Sequence, residues 1–280
     1  MSMHTKPSES GWRMPEYDGA AVEVSETPEQ LGRSVADAFA RAVRAALATK
    51  DDVSVILATG NSQLPFIAAL QERNDIEWSR VNVFHMDEYR GMSDQHPASF
   101  RLWMNRRVVD TFHPRRFFGI DGDHEPLEEE IARYSSLLES LRPEICVMGI
   151  GENGHLAFND PPADFDTAEL AHVVQLDDAC KRQQTGEGHF ASIADVPDEA
   201  LSLTVPALLA PATVLIGVPD RRKAEAVRNA FEGPIDPSCP ASILQRSPNA
   251  TVFLDAESAS LLDRIPVRGS NHGAAAKENR

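Results

Sequence analysis

The stretch that most constrains this chain is Gly149-Ile-Gly-Glu-Asn-Gly-His-Leu-Ala-Phe-Asn-Asp-Pro161, which follows the apolar run Ile145-Cys-Val-Met148. Such a run reads as a buried strand, and glycines at 149, 151 and 154 let the chain turn tightly and approach a ligand closely because they lack a Cβ. Onto that turn the sequence places His155, the amides Asn153 and Asn159, and the carboxylates Glu152 and Asp160. In open α/β sheets ligands bind in the crevice beyond the carboxyl ends of the strands. A histidine with a carboxylate nearby at such a strand end is a candidate acid/base pair.

The flanking sequence fits that architecture. Thr27-Pro28-Glu-Gln30 predicts a helix start with Thr27 as N-cap and Gln30 completing a capping box, and Leu31, Val35, Phe39, Val43 and Leu47 supply one apolar face. Val53–Ala58 and Val81–Met86 read as buried strands, as do Val214–Val218 and Ala250–Leu254, with shorter strands expected at 21–24, 168–176 and 201–204. Helices are expected after Gln63, after His96-Pro-Ala-Ser99 and from about Glu125 to Leu141. Strands alternating with helices predict an α/β fold, a three-layer Rossmann-like domain with a mostly parallel central sheet covered by helices on both faces.

Residues 1–20 read as a flexible arm, 21–266 as one α/β domain, and 267–280 as a flexible tail. Within the domain, residues from about 177 to 196 have poor periodicity and read as a lid.

Three further places carry chemistry. Thr59-Gly60-Asn61-Ser62 joins a strand to a helix, where free backbone amides suit an anion. Asp87 and Glu88 stand at the end of the 81–86 strand, where helix capping and solvated loop positions are the bland alternatives. Arg221, Arg222 and Lys223 occupy a first helical turn, where the helix dipole disfavours cations. A bound anion held by Lys223 resolves that conflict, and so does pairing with surface carboxylates.

Bulk properties narrow the function. A formal net charge of −16 argues against a nucleic-acid partner, since phosphate contacts need a basic face. It leaves room for a small anionic substrate in a local cationic pocket. The three cysteines show no disulfide or metal spacing, and the nine histidines show no HxH or HExxH pattern, so no metal is expected. No apolar run is long enough to span a bilayer and no signal peptide is visible, which reads as a cytoplasmic protein with no membrane partner.

Taken together, Phe84-His-Met-Asp-Glu-Tyr89 with His96-Pro-Ala-Ser-Phe100, the Gly149–Pro161 loop, and Lys223 followed by Glu232-Gly233 resemble the glucosamine-6-phosphate deaminases, which share a fold with the 6-phosphogluconolactonases. The resemblance covers roughly Val53 to Leu262. It implies conversion of glucosamine 6-phosphate and water to fructose 6-phosphate and ammonia, with no metal or organic cofactor. It implies that His155 opens the sugar ring, that Asp87 moves the proton from C2 towards C1, and that Asn153 and Asp160 support the histidine. Thr59, Gly60, Asn61 and Ser62 would then cradle the phosphate and Lys223 neutralise it, with Glu88, Gly154 and the lid residue Arg182 added to the substrate-contacting set.

The chain departs from the family pattern at two of these positions, with Asn153 where relatives usually have Asp and Asp160 where they usually have Glu. The family's lid arginine has no clear counterpart in Arg182-Gln-Gln-Thr-Gly-Glu-Gly-His189. Two other readings therefore stand beside the deaminase: a lactone hydrolase of the 6-phosphogluconolactonase type, and a phosphosugar-binding sensor without turnover. Monomer and homo-oligomer both stay open.

Overall fold

A computed structural model describes residues 12–13, 19–186 and 188–263. The remainder of the expected arm and the whole 267–280 tail lie outside the described residues. The elements are β1 (Trp12–Arg13), β2 (Ala21–Ser25), α1 (Pro28–Leu47), β3 (Val53–Leu57), α2 (Leu64–Gln71), β4 (Val81–His85), β5 (Asp87–Tyr89) and α3 (Phe100–Met104). A π-helical turn, Asn105–Val109, links α3 to α4 (Asp110–Phe112), followed by β6 (Arg116–Phe118), α5 (Leu127–Leu141), β7 (Ile145–Met148) and β8 (Ala171–Gln175). The rest are α6 (Asp178–Gly186), β9 (Glu199–Leu203), α7 (Val205–Leu209), β10 (Thr213–Val218), α8 (Ala224–Glu232) and β11 (Ala250–Asp255).

Eight strands form the main sheet in the order β1-β2-β11-β10-β7-β3-β4-β6. Every neighbouring pair is parallel except β1 with β2, where Trp12 faces Val24 and Arg13 faces Glu23. That pairing departs from a wholly loose arm: these two residues find unsatisfied backbone partners on an otherwise open sheet edge. The expected alternation of strands and helices is present, and residues sort by the two-residue period of a strand. Val53, Val55 and Leu57 join one core with Val81, Val83, Ile145 and Val147, under α1 and α2. Ile56, Phe84, Cys146 and Met148 join the other core with residues of α5, α7 and α8.

The helix α1 begins as the sequence predicts, with Thr27 Oγ1 accepting from Gln30 N at 3.3 Å. The capping box is altered: Gln30 Oε1 reaches the Glu26 amide at 3.0 Å, one residue earlier than the box geometry requires. Burying Leu31, Val35, Phe39 and Val43 contributes about 1.5–3 kcal/mol for each side chain. Gly32 sets how closely α1 meets α2, since a Cβ there would stand 2.4 Å from the Pro65 carbonyl.

Three strands leave the main sheet. β5, β9 and β8 form a separate antiparallel sheet, with Asp87 opposite Ser202 and Val173 opposite Leu201. Residues 87–89 are thus not a solvated loop: all three are buried in β5. The 177–196 segment, expected to be irregular, contains α6 and a 3-10 turn at Ile193–Asp195. It packs through Cys180, Phe190 and Val196 into a third cluster with Tyr89, Phe100 and Phe158. Among the described residues no helix is long and apolar enough to cross a membrane.

Candidate active site

The strands β10, β7, β3 and β4 are consecutive neighbours in the main sheet and all point the same way. Their carboxyl ends therefore open onto one edge, where the chain order reverses between β3 and β7, the place at which open α/β sheets bind ligands. A cleft of about 570 Å³, counting its open mouth, lies there. Each of the four strands supplies part of the wall: Thr59, Gly60, Ser62 and Gln63 after β3, Asp87 after β4, Gly151 and His155 after β7, and Lys223 after β10.

The two key loops hold strained backbone. Gly60 sits at φ +95° just before the 3-10 turn Asn61–Gln63 that leads into α2, a conformation that costs a side chain dearly. Asp220, at φ +88°, has its amide fixed by Asp255 Oδ2 at 3.0 Å while its own Oδ1 accepts from Arg222 N at 3.2 Å. Strain held by surrounding contacts at a ligand-facing turn is where function is to be sought.

That turn resolves the basic triplet. Arg221 contacts Ser260 Oγ at 2.8 Å and lies 3.9 Å from Glu257, and Arg222 pairs with Asp220 at 3.0 Å and with Glu152 at 3.4 Å. Lys223 is buried at 4% exposure and forms part of the cleft wall. Surface carboxylates thus serve the two arginines, while the lysine lines the cleft.

At the other side of the cleft, His155 Nδ1 lies 2.8 Å from Asp160 Oδ1. The carboxylate fixes Nδ1 as the protonated nitrogen and leaves Nε2 basic. Gly151 packs against that edge of the ring so closely that a Cβ would stand 2.2 Å from Nε2. The departures from the family pattern fit together here. Asn153 donates from Nδ2 to Asp160 Oδ1 at 2.9 Å and accepts from His155 N at 3.1 Å, which an ionised aspartate could not do at both ends. The shorter Asp160 still reaches the ring.

Two carboxylates of the site are driven in opposite directions. Burial, and after it the adjacent Glu88 carboxylate, push Asp87 well above the ordinary carboxylate range. Burial also acts upward on Asp160, but hydrogen bonds and charge from His155, with those from Asn153 and the Asp177 amide, outweigh it and hold Asp160 low. Paired groups with separated proton affinities are the mark of acid/base assignments.

Several predicted residues are not brought to the cleft. Glu88 is fully buried behind it, accepting from Tyr89 N (3.0 Å), Ser99 Oγ (2.8 Å), Phe100 N (3.2 Å) and Arg101 N (2.8 Å). It closes the N-terminus of α3, where a carboxylate satisfies free amides. Gly154, at φ +86°, shapes the loop, and a Cβ there would stand 3.0 Å from Cys239 Sγ. Asn61 and Arg182 face neighbouring depressions, Asn61 beside Arg221 and Arg182 beside Arg222 and Glu152. Asn159 ties the loop after β7 to β9, donating from Nδ2 to Leu203 O at 2.8 Å and to Leu156 O at 2.7 Å.

Other residues of the cleft were missed: Gln63, Gln183, Gln184 and His189, with the apolar Met86, Phe100 and Phe158. The run of polar residues from 182 to 189 was the only signal for the middle three. Among the described residues one trio of metal-ligand types stands together, His155, Asp160 and Cys180, with ligand atoms all within 4.8 Å. Two of its members, His155 and Asp160, are already hydrogen-bonded to each other, and burial keeps the Cys180 thiol beside them protonated.

The family described as glucosamine-6-phosphate isomerases/6-phosphogluconolactonase matches residues 26–253. A glucosamine-6-phosphate deaminase of Exiguobacterium sibiricum is 34% identical over 212 residues, covering 76% of this chain and 82% of that protein. One from Bacillus cereus is 32% identical over 238 residues, covering 85% and 87%. A solved monomeric glucosamine-6-phosphate deaminase superposes with a TM-score of 0.78 at 31% identity, covering 86% of this chain and 99% of the other. The 6-phosphogluconolactonase of Thermotoga maritima shares the fold, with a TM-score of 0.67 at 18% identity over 84% of this chain and 98% of that one. The chain belongs to the glucosamine-6-phosphate isomerase/6-phosphogluconolactonase family.

Proposed function

We propose that this protein deaminates and isomerises glucosamine 6-phosphate, giving fructose 6-phosphate and ammonia with consumption of one water. Two features support it: identities above 30% to named deaminases, and the chemistry of the cleft. The observation that carries the reading is Asp87, a carboxylate in the cleft wall whose proton affinity burial has raised. A base for a carbon-bound proton has to be strong and desolvated, and a lactone hydrolase has no use for one at that place.

The roles then follow from position. Lys223 neutralises the phosphate while Thr59, Gly60 and Ser62 supply amides and hydroxyls. His155 Nε2 takes the proton of the anomeric hydroxyl and returns it to the ring oxygen, with the imidazolium stabilised by Asp160. Asp87 removes the C2 proton next to the new aldehyde, giving an enolamine, and delivers a proton to C1. The resulting imine at C2 adds water and expels ammonia. The 177–196 segment acts as the lid, bringing Gln183, Gln184 and His189 over the cleft in place of a lid arginine.

The test is to measure ammonia and fructose 6-phosphate from glucosamine 6-phosphate, alongside hydrolysis of 6-phosphogluconolactone. Equal amounts of both products and no lactonase turnover are expected. Lactone hydrolysis without ammonia would overturn the reading in favour of the hydrolase, and tight binding without either product would favour a sensor.

A further inference from the structure

Lys223 is the one lysine or arginine among the described residues that line the cleft, so whatever fixes its place fixes the cleft's cationic end. It belongs to the turn that follows β10, and that turn is anchored by a neighbouring strand. Asp255, the last residue of β11, is 1% exposed, and both of its carboxylate oxygens accept backbone N–H groups. Oδ1 accepts from Ser258 at 2.7 Å and Oδ2 from Asp220 at 3.0 Å. Parallel pairing of β10 with β11 sets Val218 opposite Leu254 and so brings Asp220 within that reach. Asp220 sits at φ +88° and ψ +138°, a region that residues with a side chain avoid and that glycine enters freely. An aspartate stands there nonetheless, and its side chain is used. Oδ1 accepts from Arg222 N at 3.2 Å and Oδ2 from Arg222 Nε at 3.0 Å, while the Asp220 carbonyl accepts from Lys223 N at 3.0 Å.

Resting on the deaminase reading, we infer that Asp255 and Asp220 are positioning residues for the substrate's phosphate, acting through Lys223. Asp255 holds the Asp220 amide, Asp220 caps the turn, and the turn presents Lys223 in the cleft wall. Neither carboxylate lines the cleft; both border the depression beside it. By charge alone they oppose a phosphate, since like charges repel. Their contribution is placement. An ammonium on a flexible four-carbon stem is a point charge without the fixed fork of an arginine, so its aim depends on where its backbone is held. A backbone fixed beforehand also leaves less freedom to be lost when the phosphate arrives. Charge and placement therefore predict opposite signs for the removal of either carboxylate.

The test uses Asp255→Asn and Asp220→Ala, each alone and in a Lys223→Ala background. Asp255→Asn keeps the shape but sets an amide N–H against one of the two backbone donors, and Asp220→Ala removes the cap while keeping a Cβ at the strained position. Each single variant is expected to raise KM for glucosamine 6-phosphate about tenfold, with kcat within about threefold. In the Lys223→Ala background each should add less than about twofold, because a residue that acts through Lys223 has nothing left to place. Asp220→Asn, which keeps an acceptor for Arg222 N, should stay within about threefold of wild type. Calorimetric titration with fructose 6-phosphate, which cannot react without ammonia, gives the same comparison with no turnover. A wild type that released no ammonia would thus sink the deaminase reading while the titration still decided the placement. Tighter binding in Asp255→Asn would overturn the inference, since charge would then outweigh placement. So would unchanged affinity with a lowered Tm, full additivity with Lys223→Ala, or a wild type that binds no sugar phosphate. Should Asp255→Asn fail to fold, Asp220→Ala, on the partly exposed turn, decides alone.

Discussion

The main sheet and the small sheet beside it are built on different terms. The main sheet buries apolar runs on both faces in two large, mainly aliphatic and aromatic cores, with few buried polar groups such as Ser54, Asn82 and His85 among them. The small β5-β9-β8 sheet rests on a cluster of aromatics, Tyr89, Phe100, Phe158 and Phe190, beside buried polar groups such as Glu88, Asn159, Gln184 and Ser202. Tyr89 alone touches Phe100, Phe158 and Phe190 at centroid distances of 5.0–5.3 Å and donates to Gln184. Stability is concentrated in the first region, and the second spends its contacts on holding polar side chains at the cleft. The seam between them is where Asp87 leaves one sheet and enters the other.

Substituting Asp87 should have the largest effect and should separate activity from stability. Asp87→Asn is expected to lower kcat by about 10³-fold or more, the scale of a lost general base. It should also raise Tm near neutral pH by a few degrees. Folding raises the affinity of Asp87 for its proton, so the ionised form opposes folding increasingly as pH rises through the folded-state value, and the amide removes that penalty. A melting curve with a lower Tm would show that the buried charge is not a cost.

Lys223→Ala should raise KM for the sugar phosphate about 10–100-fold, the range for a lost charge-assisted hydrogen bond, with a smaller change in kcat. Steady-state kinetics against a phosphate-free amino sugar checks it, since the variant and wild type should then differ little.

A pair of core truncations breaks or sharpens the contrast between the regions. Phe39→Ala in the main core should cost about 3–5 kcal/mol in denaturant unfolding and leave kcat/KM of the folded enzyme unchanged. Phe190→Ala under the lid should cost less globally and raise KM several-fold, because it loosens the segment that carries Gln183 and His189. Equal effects on both quantities would dissolve the distinction.

The smallest effect concerns pH. Glu88 is the second cause, after burial, of the raised proton affinity of Asp87. Glu88→Gln should therefore move the acidic limb of kcat/KM to lower pH, since a base without a negative neighbour stays ionised further down. A limb that stays in place would show that burial alone sets Asp87.

What was legible follows the same division. Apolar runs such as Val53–Leu57 and Ile145–Met148 declare the main sheet because burial on both faces leaves no alternative reading. The glycine loop was visible because three glycines in six residues follow an apolar run, and Asp87 because it belongs to the Phe84–Tyr89 motif that carries the resemblance. The β5 strand was not: three residues cannot show a period, and Asp-Glu-Tyr has poor strand propensity until Ala200–Ser202 pairs with it. Glu88 was placed in the substrate-contacting set, yet alternation along the strand turns it the other way, onto the amides of α3. Gln183 and His189 reach the cleft through packing of α6 on Tyr89, a contact across nearly a hundred residues that no local pattern encodes.

The central claim is that Asp87 carries the C2 proton across the cleft, and exchange in D₂O tests it most directly. Wild type incubated with glucosamine 6-phosphate should give fructose 6-phosphate bearing deuterium at C1, and Asp87→Asn should bind the sugar phosphate within a few-fold of wild type yet show no loss of the C2 proton by NMR. Exchange at C2 that persists in Asp87→Asn would contradict the account and place the base elsewhere in the cleft.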